Sequence, residues 1–225
     1  MFDNLNFSTD DVQLEGSLKL TCFDVTAQQS SNLLAQLYLQ DKFEGDIDIG
    51  SLTVEQFIAQ YSSSANSANG VNANAKWPNG EVPYTIPAYF SASEQALIQG
   101  AFDEFHDKTC VRFVPKTSAH TDYVKFDKLD GCWSSIGKRG GEQTISLGTG
   151  CVHHSVIVHE LLHALGFFHE QSRTDRDQHV TIFWANIESG KEHNFQMANP
   201  IDLLGAPYDY GSIMHYPEHA FAKSP

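Results

Sequence analysis

Positive charge is scarce in this sequence. Its 225 residues hold 14 Lys and Arg against 28 Asp and Glu, a formal charge of −14. No Lys/Arg-rich segment exists, and the one adjacent basic pair, Lys138-Arg139, reads as a solvated turn. The basic face that a nucleic-acid binder needs is therefore missing. Long apolar runs are missing too, since nothing approaches the roughly 18 residues of a membrane-spanning helix. The N-terminus Met-Phe-Asp-Asn-Leu-Asn has neither the basic nor the apolar stretch of a signal peptide, so the chain reads as cytosolic or as starting downstream of its true beginning. Cysteine is sparse: Cys22 stands alone, Cys110, Cys132 and Cys151 come later, and no CxxC occurs. That disfavours a zinc ribbon or a thioredoxin-like site. Disulfide bonding would imply secretion, for which three plus one is an awkward count. No G-x-S-x-G elbow is present to carry a nucleophilic serine. Histidine is absent from the early part; all 11 lie at or beyond His106.

What is present is enough for a folded domain, with 41% apolar residues. Residues 1–29 are polar and acidic and carry one sequon, Asn6-Phe7-Ser8. Residues 31–40 place Leu33, Leu34, Leu37 and Tyr38 on one helical face. Thr53-Val54-Glu55-Gln56 reads as a capping box, followed by Phe57, Ile58 and Tyr61 at helical spacing. Residues 62–75, SSSANSANGVNANA, read as a linker, an exposed loop or a processing site. Up to residue 67 there are 10 acidic and 2 basic residues, so this piece holds −8 of the charge.

Beyond the linker, 81–86 is strand-like. Ser91 and Glu94 form a second capping box, opening a helix with Leu97, Ile98, Ala101, Phe102 and Phe105 on its apolar side. Strands are predicted over 110–114, 123–129 and 144–147, with a turn at Gly140-Gly141. A helix over 155–165 ends at Gly166. Strand, helix, strands, helix suggests an α+β domain.

The chemistry lies in His159-Glu160-Leu-Leu-His163-Ala-Leu-Gly166-Phe-Phe-His169. Residues four apart on a helix share a face about 6 Å apart along the axis, so His159 and His163 present imidazoles to one ion. Gly166 permits a left-handed turn that brings His169 back as a third ligand. Three neutral nitrogens leave a fourth position for water, as at catalytic zinc. Glu160 stands beside that position as a base for a metal-activated water, and peptide hydrolysis uses this set. Two His and a Glu inside so apolar a helix are costly to bury without a purpose. This extended pattern followed by a Met-turn is the metzincin signature.

His169-Glu170-Gln171-Ser172-Arg173-Thr174-Asp175-Arg176-Asp177, with Tyr208-Asp-Tyr-Gly-Ser212-Ile-Met214-His215-Tyr216, resembles the astacin family of secreted metalloendopeptidases. Trp77-Pro-Asn-Gly-Glu-Val-Pro-Tyr84 and the spacing of Cys132, Gly137, Gly141, Gln143, Ser146 and Cys151 also look like that family. Thr174, where the family usually has Pro, is the one departure inside the signature.

The resemblance implies a metzincin (zincin-like) protease fold, with an active-site helix and a twisted, mainly antiparallel-edged sheet. It implies Zn2+ held by His159, His163 and His169, with Glu160 as general base. Met214 would turn beneath the metal, while His215 would have no ligand role. Tyr216 would be a further zinc ligand that swings away to stabilise the oxyanion. Residues 1–67 would be a prosegment and 68–225 the catalytic domain, its N-terminal subdomain ending at about 169 and its C-terminal subdomain incomplete. Phe43-Glu44-Gly45-Asp46 resembles the family's FxGD motif, in which the aspartate, here Asp46, binds zinc in place of the catalytic water. Ala68 would be the mature start, its new amino group meeting Glu170; a plain surface charge beside Arg173 is the other reading of that glutamate. Cys132–Cys151 would close a disulfide, and Cys110 would have its partner beyond Pro225. Protein or peptide substrates, autoinhibition by the chain's own prosegment and an extracellular location follow from the same resemblance. A non-catalytic protein retaining a protease fold is the alternative, and a cytosolic metal-binding protein a third reading.

Overall fold

The computed structural model describes residues 42–62, 75–197, 203 and 205–223. The expected helix over 31–40, the sequon, Cys22 and Ala68 lie outside the described residues, as does most of the expected linker.

Five strands form one sheet: β1 Glu81–Thr85, β2 Arg112–Pro115, β3 Tyr123–Asp127, β4 Cys132–Ser134 and β5 Glu142–Leu147. Their order is β2-β1-β3-β5-β4. Three pairings are parallel, and only β4 runs antiparallel, pairing Cys132 with Leu147 and Ser134 with Ile145. The antiparallel edge expected of the fold is thus one short strand. β4 escaped the sequence because three residues carry no readable period; its pairing with β5 defines it.

Helix α1 spans Val54–Ser62, α2 Ala92–Lys108 and α3 His154–Leu165. Both capping boxes form. Thr53 N–H donates to Gln56 Oε1 at 2.9 Å and Gln56 N–H to Thr53 Oγ1 at 3.2 Å. Ser91 N–H donates to Glu94 Oε2 at 2.7 Å and Glu94 N–H to Ser91 Oγ at 3.3 Å. These bonds satisfy amide groups that a helix start leaves without partners. On α2, Ile98, Ala101, Phe102 and Phe105 are buried, as expected, but Leu97 is 38% exposed. Its position lies about 100° around the helix from Ile98, outside the buried stripe.

The main core joins these α2 residues to Val124, Phe126, Ile145 and Leu147 of the sheet and to Val156, Ile157 and Leu161 of α3. Phe102 links the layers, its ring 4.6 Å from that of Phe113 and 4.5 Å from that of Tyr84. The Cys132–Cys151 disulfide ties β4 to the turn before α3. A second cluster holds Phe43, Ile47 and Phe57 against Ile136 and Phe168. It seats residues 42–62 on the edge of the body. Ile47 forms a parallel bridge to Ser134 of β4, with Ser134 N–H donating to Asp46 O and Asp48 N–H to Ser134 O.

Candidate metal centre

α3 is apolar on every side, and His159, Glu160 and His163 are buried with its aliphatic residues. Such a helix belongs inside the molecule, so its polar groups need partners there. It ends as Gly166 turns left-handed, at φ 112°, with the Gly166 N–H donating to Leu162 O and His163 O. A side chain at that φ would be strained, whereas Gly adopts it freely. The chain then turns back and His169 meets the other two histidines. Ring centroids of His159, His163 and His169 lie 4.7 to 5.1 Å apart.

Asp46 completes the cluster from the other end of the chain. Its carboxylate lies 3.0 Å from His159 Nε2, 3.4 Å from His163 Nε2 and 3.3 Å from His169 Nε2. One donor atom from each of the four residues falls within 4.8 Å of every other, and all four residues are buried. The three distances from Asp46 match the roughly 3.3 Å edge of a tetrahedron whose corners lie about 2.0–2.1 Å from its centre, the usual zinc–ligand distance. Asp46 Oδ1 and His163 Nε2 are buried and make no hydrogen bond among the described residues, although each is a strong polar group. Three nitrogens and a carboxylate oxygen are a zinc donor set, and the site fits that ion.

The outer nitrogens hold the rings in place. With each Nε2 facing the centre, each Nδ1 carries the proton. His159 Nδ1 donates to Ile213 O at 2.9 Å, His163 Nδ1 to Phe167 O at 2.7 Å and His169 Nδ1 to Glu44 Oε2 at 2.6 Å. Met214 is buried in the main core, and its carbonyl accepts from Glu170 N–H at 2.8 Å.

Glu160 is fully buried and neither carboxylate oxygen has a hydrogen-bond partner among the described residues. Burial, and then the charge of Asp46, raise its pKa well above the carboxylate range. Asp46 shifts the other way: burial pushes its pKa up, but His169, His163 and His159 together hold it well below the usual value.

Tyr216 packs its ring 4.7 Å from that of His169 and donates its hydroxyl to Glu44 O at 2.7 Å. His215 has both nitrogens engaged elsewhere, with Tyr208 Oη at 2.8 Å and Tyr216 O at 2.7 Å. Glu170 is mostly buried, and burial raises its pKa. Its Oε1 accepts from Asp209 N–H at 2.9 Å and from Arg173 at 3.3 Å, so the pairing with Arg173 is present.

Sequence reasoning missed Glu44 and Ser172. Glu44 is wholly buried, and one of its oxygens accepts from Ser172 Oγ. Nothing in the sequence marks it, because FxGD leaves that position open.

Comparison with known proteins agrees with this geometry. The family model described as Astacin, a peptidase family, matches residues 69–225. Zinc metalloproteinase nas-15 of Caenorhabditis elegans is 44% identical over 197 residues, 84% of this chain and 34% of that protein. Zinc metalloproteinase nas-8 of Steinernema carpocapsae is 36% identical over 230 residues, 100% of this chain and 52% of that protein. This chain thus spans between a third and about half the length of these two relatives. Among solved structures, high choriolytic enzyme 1, a hatching enzyme zinc-protease from Oryzias latipes, matches at 43% identity and a TM-score of 0.62, over 66% of this chain and 75% of that one. The histidine pattern therefore stands within a family match over residues 69–225, and the chain belongs to the astacin family of zinc metallopeptidases.

Proposed function

We propose that this chain is the latent form of a secreted, zinc-dependent endopeptidase, with residues 1–67 as prosegment and 68–225 as catalytic part. The observation that carries this reading is Asp46, whose carboxylate stands 3.0 to 3.4 Å from the Nε2 of all three histidines. A carboxylate there takes the coordination position that a catalytic water needs. Phe43 supports it: the ring is buried 5.3 Å from that of Phe57 and anchors the segment carrying Asp46. The Cys132–Cys151 bond supports passage through an oxidising compartment.

Zinc, when bound, polarises a carbonyl and lowers the pKa of coordinated water to about 7. His159, His163 and His169 hold it, with ring orientations set by Ile213 O, Phe167 O and Glu44. Glu160, one residue along α3 from His159, takes the proton of the water that attacks the peptide carbonyl and passes it to the leaving amine. Among the described residues its oxygens have no other hydrogen-bond partner, which keeps it available for that transfer. The Tyr216 hydroxyl, given to Glu44 O in the latent form, is released when the prosegment leaves and then donates to the developing oxyanion. Ala68 becomes the new N-terminus and its ammonium group joins Glu170. Proteins and peptides are the substrates.

The test replaces Glu160 with Ala in the processed protein. Casein cleavage is expected to fall to background while about one zinc per chain stays bound, measured by atomic absorption. Cleavage at the unsubstituted rate would remove Glu160 as the base.

A further inference from the structure

Beside Asp46, the segment carrying FEGD brings a second acidic side chain, Glu44, into the site. Glu44 has no exposure, and three groups of the catalytic part converge on it. His169 Nδ1 donates to Oε2 at 2.6 Å, Ser172 Oγ donates to Oε1, and Tyr216 Oη donates to the backbone carbonyl at 2.7 Å. Its backbone holds a φ of +50° and is followed by Gly45 at +82°. A positive φ is uncommon outside glycine, so the chain accepts an unfavourable backbone to aim this carboxylate inward.

The outer partners of the three histidines are unequal. Those of His159 and His163 are neutral carbonyls, Ile213 O and Phe167 O, that stay with the catalytic part. That of His169 is a carboxylate from the prosegment. A carboxylate at the outer nitrogen fixes the ring and makes the metal-facing nitrogen a stronger donor than a neutral carbonyl does. We infer that Glu44 is a positioning residue for the third zinc ligand, so that the prosegment secures the metal as well as covering it. The catalytic zinc is then held more firmly in the latent chain than Asp46 alone achieves, and prosegment removal withdraws two carboxylates from the site.

This inference rests on the latent-protease reading, and the test separates the two. The zinc-loaded 225-residue chain and its E44Q and D46A variants are mixed with a chromogenic chelator, and zinc release is followed by absorbance. E44Q keeps the side-chain volume and one acceptor oxygen for His169 Nδ1, and its amide group can donate to the Ser172 hydroxyl in place of accepting from it, so both contacts are remade without the carboxylate. Release is expected to speed up about tenfold in E44Q, in line with losses of outer partners at other metal sites, and to speed up in D46A as well. A purely structural role would be met by Gln. An E44Q chain that holds zinc like the unsubstituted chain, while D46A releases it faster, overturns the role of Glu44 and leaves Asp46 in place. Release unchanged in both variants overturns the latent-protease reading along with it.

Discussion

At the scale of single residues, the proposed latency rests on one carboxylate. Asp46 is buried among three imidazoles, which together hold its pKa well below the usual value against the cost of burial. Removing it takes away the group proposed to fill the water's coordination position. D46A is expected to raise the unprocessed chain's hydrolysis of a quenched peptide from background to a measurable rate. No change in rate would speak against the aspartate as the inhibitory contact. His159, His163 and Glu160 were readable beforehand because helical spacing alone places i and i+4 side by side. Glu44 was not readable: its importance lies in contacts to residues 125 and 128 positions away.

At the scale of elements, start and stop signals explain why the helices lie where they do. The reciprocal Ser91–Glu94 cap opens α2 at the residue expected. Ser91→Ala is expected to cost about 0.5–2 kcal/mol, seen as a lower urea midpoint with unchanged slope. The close of α3 at Gly166 matters more for function, because that left-handed residue redirects the chain so that His169 reaches the other ligands. Local rules were enough for these helices. They were not enough for β4, whose three residues become a strand by pairing with β5 and offering the opposite edge to Ile47. Leu97 shows the same limit: apolarity placed it on the helix face, but the width of the buried stripe is set by the sheet beneath.

At the scale of the whole molecule, covalent and electrostatic ties hold the edge of the sheet. The Cys132–Cys151 bond spans 19 positions. Replacing both cysteines with Ser is expected to lower stability by about 3 kcal/mol, measured by chemical unfolding under non-reducing conditions. Acid should act through several surface carboxylates. Lys128 and the α2 cap hold Glu94 at a pKa of about 2, Lys138 and Gly141 N–H lower Asp122, and Arg173 lowers Asp175. Folded values below unfolded ones mean that the unfolded chain binds more protons in acid. This contribution to stability is complete above the ordinary carboxylate range and is lost as pH falls towards about 2. Glu160 and Glu170 have raised values and act only above that range, so they do not offset the loss. The urea midpoint is expected to fall steadily from pH 4.5 to pH 2, and a flat profile would contradict these pairings.

By itself the sequence determined the metal-binding helix, its glycine stop, the capping boxes and the family, because each depends on spacing along the chain or on local backbone preference. The resemblance of Phe43-Glu44-Gly45-Asp46 to FxGD pointed to Asp46 at the metal, but tertiary structure alone decided the distances at which it stands among the three histidines, that Glu44 reaches His169 and Ser172, and that β4 offers its edge to Ile47. Those contacts join residues about 90 to 130 positions apart. The packing of Phe43 and Phe57 against Ile136 and Phe168, with the backbone bonds between Ser134 and residues 46 and 48, brings the two parts of the chain to that distance.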